Sequence, residues 1–315
     1  MRRAFVILSF VMMTVFSVST AKSAGNELML YTSLDVKTIA ALTEEFSKIH
    51  PEITVKYLKI TSSALPNKLI LEQRAGMYLA DVVISSMDEM YQLTDLFQPY
   101  ASSQAIYYPK EAKDPDGKWI IASANATGLL YNPKLVEKLR LPLPKTYEEL
   151  GNPRYKDNLI VEAHAVDIYK ALLEFYKKDK GKSITENLLR NAKAYIGQRM
   201  VVEMLLVGEA PFALGYTFSV VTRPGAPIAL YEEFRPLILK QSGVFLAKNA
   251  PNPKAAKLFI DFLLSHEIQK KVMVDTGRTS RRYNLASQQQ FIVPSPVSGA
   301  EYKSLFEEWR KFLGN

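Results

Sequence analysis

Short apolar runs and helical apolar stripes alternate along the first third of the chain. Leu28-Met-Leu-Tyr31 is a continuous apolar run of strand length, and Ile39, Leu42, Phe46 and Ile49 follow at helical spacing until Pro51. Ile53 to Ile60 predicts a second strand, Leu69 to Arg74 a helix, and Asp81 to Ser85 a third strand. This order of elements implies a parallel sheet with right-handed crossovers. Ligands of such sheets bind beyond the carboxyl ends of the strands. Tyr31, Thr32 and Ser33, the pair Ser62 and Ser63, and the pair Ser85 and Ser86 are therefore expected to rim one cleft.

The middle of the chain reads as a second α/β lobe. Asp114-Pro-Asp-Gly117 signals a turn, and Lys118 to Ser123 and Gly128 to Tyr131 predict two strands around Ala124-Asn-Ala-Thr127. Asn132-Pro133 opens a helix, and Thr146-Tyr-Glu-Glu149 and Ser183-Ile-Thr-Glu186 have the form of capping boxes. Leu159 to Glu162 and Ala210 to Gly215 predict further strands. Late in the chain, Gly243 to Ala247 predicts a strand running into an Asn-Ala-Pro-Asn-Pro turn. A helix follows with Ala255, Leu258, Phe259, Phe262 and Leu263 on one face. The expected division is a first lobe of residues 25–123 and 243–280 and a second of 124–242 and 281–315. The chain crosses between them near 123–127 and 238–243.

The first 24 residues stand apart. Arg2 and Arg3 precede an apolar run from Ala4 to Val18, and Ser19-Thr-Ala-Lys-Ser-Ala24 supplies small residues for cleavage, the three parts of a secretory signal peptide. The run is shorter than the ~20 residues that span a bilayer. The mature protein is expected to begin between Lys22 and Asn26 and to reside in the periplasm. Loss of Arg2, Arg3 and Lys22 takes the formal charge from +8 to +5. This mild basicity leans toward anionic solutes or an acidic docking surface, and no basic run interleaved with aromatics suggests nucleic acid. The chain has no cysteine, which removes disulfides, thiolate metal sites, a catalytic thiol and the lipid-anchoring cysteine of membrane-tethered binding proteins.

Catalytic signatures are missing. There is no Gly-x-Ser-x-Gly elbow, His-Glu-x-x-His, phosphate-binding Gly-x-x-x-x-Gly-Lys or dinucleotide glycine fingerprint. The three histidines are scattered, and Asp88-Glu89 and Glu232-Glu233 read as solvated charge. No enzymatic activity and no cofactor are expected. The cleft chemistry is one of hydroxyls and amides. Ser62 and Ser63 at a helix start suit an oxyanion, Asn125 and Thr127 can donate from the hinge, and His164 and Asp167 can orient a polar ligand. Tyr216 and Thr217 follow a strand end, whereas Arg278, Arg281 and Arg282 read as solvated basic surface.

The segment Gly243 to Gln269 resembles a signature of bacterial ABC-transporter solute-binding proteins. Leu30-Tyr-Thr-Ser33, Ala80 to Ile84, Gly128 to Pro133, Thr146 to Leu150 with Tyr155-Lys156, Gly208 to Gly215 and Gly225 to Ile228 extend the resemblance to the type 2 periplasmic proteins of the ferric-binding branch. The resemblance implies the two-lobe type 2 α/β fold, each lobe a mixed sheet flanked by helices, joined by a two-crossing hinge. It also implies a monomer that holds a small-molecule solute between lobes and delivers it to an inner-membrane ABC permease with a cytoplasmic ATPase. Iron-carrying relatives present adjacent tyrosines after the strand that here ends Ala213-Leu-Gly-Tyr-Thr-Phe218, and this chain has Tyr216 beside Thr217. The expected solute is a small anionic or polar molecule, such as a phosphate ester, phosphonate or carboxylate. Ferric iron held through Tyr216, and presentation of the liganded form to a membrane kinase, are the alternatives.

Overall fold

Strand β1 (Glu27–Thr32) lies between β2 (Thr54–Lys59) and β3 (Val82–Ser86) and runs parallel to both. The expected β-α-β-α-β start is thus present in the structure, a computed structural model that describes residues 27–283, 290–295, 297 and 299–314. The proposed signal peptide and its cleavage sites lie outside the described residues. The helix Val36–Ile49 connects β1 to β2 and buries Ile39, Leu42 and Phe46, while Ile49, expected on the same stripe, is exposed. It starts where the Asp35 carboxylate accepts the Thr38 N–H at 3.0 Å, a side-chain cap that satisfies one of the orphan donors of the first turn.

Two long strands carry the chain between the lobes. Strand β4 (Trp119–Tyr131) takes in the whole stretch expected to form two strands around a hinge segment, and it remains continuous through Ala124 to Thr127. A register shift between Ile121 and Ser123 bends it instead, because one extra residue on one strand of an antiparallel pair kinks and twists that strand. After β5 (Leu159–Glu162), β6 (Ala192–Tyr195), β7 (Phe212–Tyr216) and β8 (Ala229–Leu230), strand β9 (Leu237–Leu246) returns antiparallel to β4. It begins six residues earlier than the apolar run at Gly243 suggested. β10 (Phe291–Ile292) pairs with the start of β9. The main path of the sheet is β2-β1-β3-β9-β4-β7-β5-β6.

The cores fall on either side of this crossing. One cluster gathers Leu30, Phe46, Ile84, Phe245, Phe259 and Leu263, and the other gathers Leu129, Tyr169, Leu188, Phe212, Ile238 and Trp309. The helix Pro253–Leu264 packs its apolar face on the first, with Leu258 turned out to solvent. The helix Lys178–Arg190 packs on the second and runs straight through Ser183, which is exposed. The expected capping box there is therefore not a helix start, since the five residues before Ser183 are already helical. At Thr146 the cap is real, with its hydroxyl accepting the Glu149 N–H at 3.2 Å. The C-terminal helix Gly299–Phe312 docks on the second core through Leu305 and Trp309.

Candidate functional site

Cross-strand register sets the floor of the cleft. Residues directly opposite on paired strands point to the same face, so Ser86, Ser242 and Ser123 form one row, Lys240 and Asn125 the next, and Ile238, Thr127 and Tyr216 the third. The carboxyl ends of β3, β5 and β7 open onto this face. Just past β3, the Ser86 hydroxyl accepts the Asp88 N–H at 3.3 Å, and the short helix Met87–Met90 brings Asp88 to 3.5 Å from the Lys240 ammonium. Past β5, Asp167 stands in the first turn of the helix Val166–Tyr176. At the end of β7, the Tyr216 ring stacks on Phe218 with centroids 5.7 Å apart.

One ammonium therefore faces several acids. Burial alone would lower the Lys240 pKa, but Asp167, Tyr216, Asp88 and Glu89 around it raise it well above the ordinary lysine value, so the charge is retained. Burial raises Asp167 above the usual carboxylate range, with Asp88 adding to the rise and Lys240 opposing it. Burial likewise pushes the Tyr216 phenol up; Lys240 opposes this, and Asp167, Asp88 and Glu162 reinforce it. Burial raises the Tyr302 phenol on the C-terminal helix, with Lys240 opposing and Glu162, Asp167 and Glu89 reinforcing the shift. Two acceptors there are buried without a partner, Glu89 Oε2 and Asn125 Oδ1. Buried polar atoms are nearly always paired, so these two stand out as unmet acceptors.

The sequence-predicted residues divide into groups. Ser33, Ser86, Asn125, Asp167, Tyr216 and Thr217 stand at strand ends or on the crossing. Tyr31 does not, since its hydroxyl is buried in the first lobe and donates to Glu72 at 2.8 Å. Thr32 is also interior, accepting the Leu34 N–H at 3.1 Å, and Ser85 is fully buried with its hydroxyl donating to Ser33 at 3.3 Å. Thr127 is buried between β7 and β9. Ser62 and Ser63 precede the helix Leu65–Arg74, but its cap position is Ala64 and no side chain caps it, with Ser63 paired instead to Thr61 at 3.3 Å. His164 is exposed, with its ring 5.2 Å from Phe306.

Lys240 and the Asp88-Glu89 pair escaped the sequence reading. Asp88 and Glu89 are half-buried, because β3 ends under them and β9 lies alongside. The three arginines are also corrected, Arg281 being half-buried. Arg278 and Arg282 are 7% and 4% exposed. Arg278 ion-pairs with Asp35 and lies 4.9 Å from the Phe218 ring across the lobes, at a turn where Gly277 has φ +86° and a Cβ would come within 2.9 Å of Phe218 Cα. Burial alone would raise the Asp35 pKa, but the guanidinium and the Thr38 donors hold it below the usual range.

Among the described residues no helix is long and apolar enough to cross a membrane, and no group of three or more His, Asp or Glu is arranged to hold a metal ion. The sequence matches the bacterial extracellular solute-binding protein family over residues 32–270. It is 25% identical over 269 residues to iron uptake protein A1 of Synechocystis sp., covering 77% of this chain and 72% of that protein. Iron-bound HitA from Pseudomonas aeruginosa aligns with a TM-score of 0.73 at 19% identity, over 92% of this chain and 97% of that one. AfuA from Actinobacillus pleuropneumoniae, a periplasmic binding protein with exogenous fructose-6-phosphate bound, aligns at 0.69 and 19% over the same shares. Such likenesses establish the two-lobe type 2 α/β fold. The chain belongs to the bacterial extracellular solute-binding proteins and is the periplasmic solute-binding component of an ABC importer.

Proposed function

We propose that this component captures a small solute bearing positive charge and several hydrogen-bond donors and hands it to an inner-membrane permease with its cytoplasmic ATPase. The carrying observation is the imbalance around Lys240. Asp88, Glu89 and Asp167 surround a single ammonium, and Glu89 Oε2 and Asn125 Oδ1 are buried acceptors with no partner. An oxyanion would add negative charge to this set. Of the hydroxyls expected in the cleft, Thr32, Ser85 and Thr127 are interior, and Ser62 and Ser63, the pair expected to meet an oxyanion, do not cap the helix that follows them. A protonated amine would pair with Asp167 and Glu89 and complete the unpaired acceptors.

The moving bodies in this reading are residues 25–123 with 243–280 and residues 124–242 with 281–315, and the protein works as a monomer without catalytic turnover. A solute touching both lobes favours the closed state in proportion to its extra contacts there. Thermal-shift titrations with putrescine, glucose 6-phosphate and ferric citrate test the charge of the cargo. Binding at 100 times Kd stabilises by about 2.7 kcal/mol. The diamine should raise Tm in the wild type and much less in Asp167→Asn; a rise with glucose 6-phosphate alone overturns the reading.

Ferric iron is the second reading. The phenols of Tyr216 and Tyr302 beside carboxylates offer hard anionic oxygen, and the iron-uptake protein of Synechocystis sp. and iron-bound HitA point the same way. Against it stand the central Lys240 ammonium and a Tyr216 phenol made harder to ionise by burial. A visible phenolate-to-iron band that is lost in Tyr216→Phe would establish it.

A further inference from the structure

The opposite face of the crossing holds a second cavity of about 540 Å³. Because side chains alternate along a strand, Leu239 and Gln241 of β9 project away from Lys240. Together with Trp119 and Ile121 of β4, they line this space. Arg281 and Phe291 close it from the other side, with the guanidinium 5.1 Å from the Phe291 ring.

Three of these residues hold a buried N–H donor that has no partner: Trp119 Nε1, Gln241 Nε2 and Arg281 Nη1. A buried donor left unmade costs about 1–3 kcal/mol, and more when charged. Three of them converging on one cavity is a pattern that a bound acceptor would relieve. Burial lowers the Arg281 pKa, with Glu111 opposing the shift, as expected of a guanidinium held out of water.

We propose that this back pocket is a second binding site, distinct from the interlobe cleft, for an organic monoanion: a carboxylate on an aromatic or alkyl body. The carboxylate oxygens would accept from Arg281, Gln241 and Trp119, and Ile121, Leu239 and Phe291 would cover the body. Asp88 and Glu111 line the cavity together with Lys110, Lys113 and Arg281, so the three cations exceed the two acids by a single charge, which a monoanion matches. The volume falls within the range of about 300–1,000 Å³ typical of small-molecule sites. The site shares Asp88 with the cleft but does not rest on the cargo proposed there.

Titration of the mature protein with 1-naphthoate, followed by calorimetry and by tryptophan fluorescence, tests it. The chain has two tryptophans, and Trp309 is fully buried in the second core. The expected result is one saturable site whose fluorescence change persists in Trp309→Phe and disappears in Trp119→Phe. Affinity should fall about tenfold or more in Arg281→Gln and stay at the wild-type value in Asp167→Asn, a cleft variant. If Arg281→Gln does not fold, Gln241→Leu serves in its place, with a loss of about threefold or more expected for a neutral hydrogen bond. Absence of saturable binding overturns the proposal. So does binding that Asp167→Asn alters, or that neither back-pocket substitution weakens.

Discussion

The two faces of the β4–β9 crossing are built from the same pair of strands, yet they have opposite hydrogen-bonding needs. On the cleft face Lys240 is surrounded by acids, and the unpaired buried atoms are the acceptors Glu89 Oε2 and Asn125 Oδ1. On the back face the unpaired buried atoms are donors, and Arg281 has no ion pair among the described residues. Strand alternation is the cause, since Lys240 and Gln241 are neighbours in sequence and face opposite ways. A cation removed from one face should therefore have the reverse consequence of a cation removed from the other.

The largest effect is expected on the cleft side. Lys240→Met leaves Asp88, Asp167 and Glu89 without their compensating charge; the Asp88 pair is half-buried, so the cost is expected at about 1–3 kcal/mol, below that of a fully buried pair. Urea unfolding should show a midpoint lowered accordingly; an unchanged midpoint would mean that the acids are solvated. Arg281→Met is the counterpart. It removes a half-buried guanidinium whose Nη1 is unpaired, at the expense of a cation–π contact, so stability should be unchanged or higher by up to about 1 kcal/mol. A loss as large as that of Lys240→Met would erase the contrast.

A smaller effect concerns pH. Asp167 is raised by burial, so its folded pKa exceeds its unfolded one. This group then favours the folded state at low pH, and that contribution is lost as pH rises from the ordinary carboxylate range through the raised value. A cationic solute prefers the ionised carboxylate, so its affinity should climb with pH through the same window. Calorimetry with putrescine checks this, and Asp167→Asn should flatten the profile.

The fold was legible because its strands are continuous apolar runs such as Val82-Val-Ile84, a pattern that parallel buried strands impose. Asp167 and Tyr216 could be placed because one opens the helix after β5 and the other ends β7. Lys240 could not, because its importance comes from Asn125 opposite it and Asp88 above it, contacts that no local pattern records. Arg278 looked like surface for the same reason, since its partner Asp35 is 243 residues away in sequence. Ser183 misled because tertiary packing carries the helix through Gly181, where a Cβ would collide with the Leu172 carbonyl oxygen, despite the poor helix propensity of glycine.

Mass spectrometry of the solute released from protein purified directly from periplasm tests the cargo claim most directly. The account predicts a small molecule with at least one protonated amine or equivalent fixed positive charge, absent from protein purified as Asp167→Asn. Recovery of a phosphate ester or carboxylate with no cationic group, retained by Asp167→Asn, would contradict it.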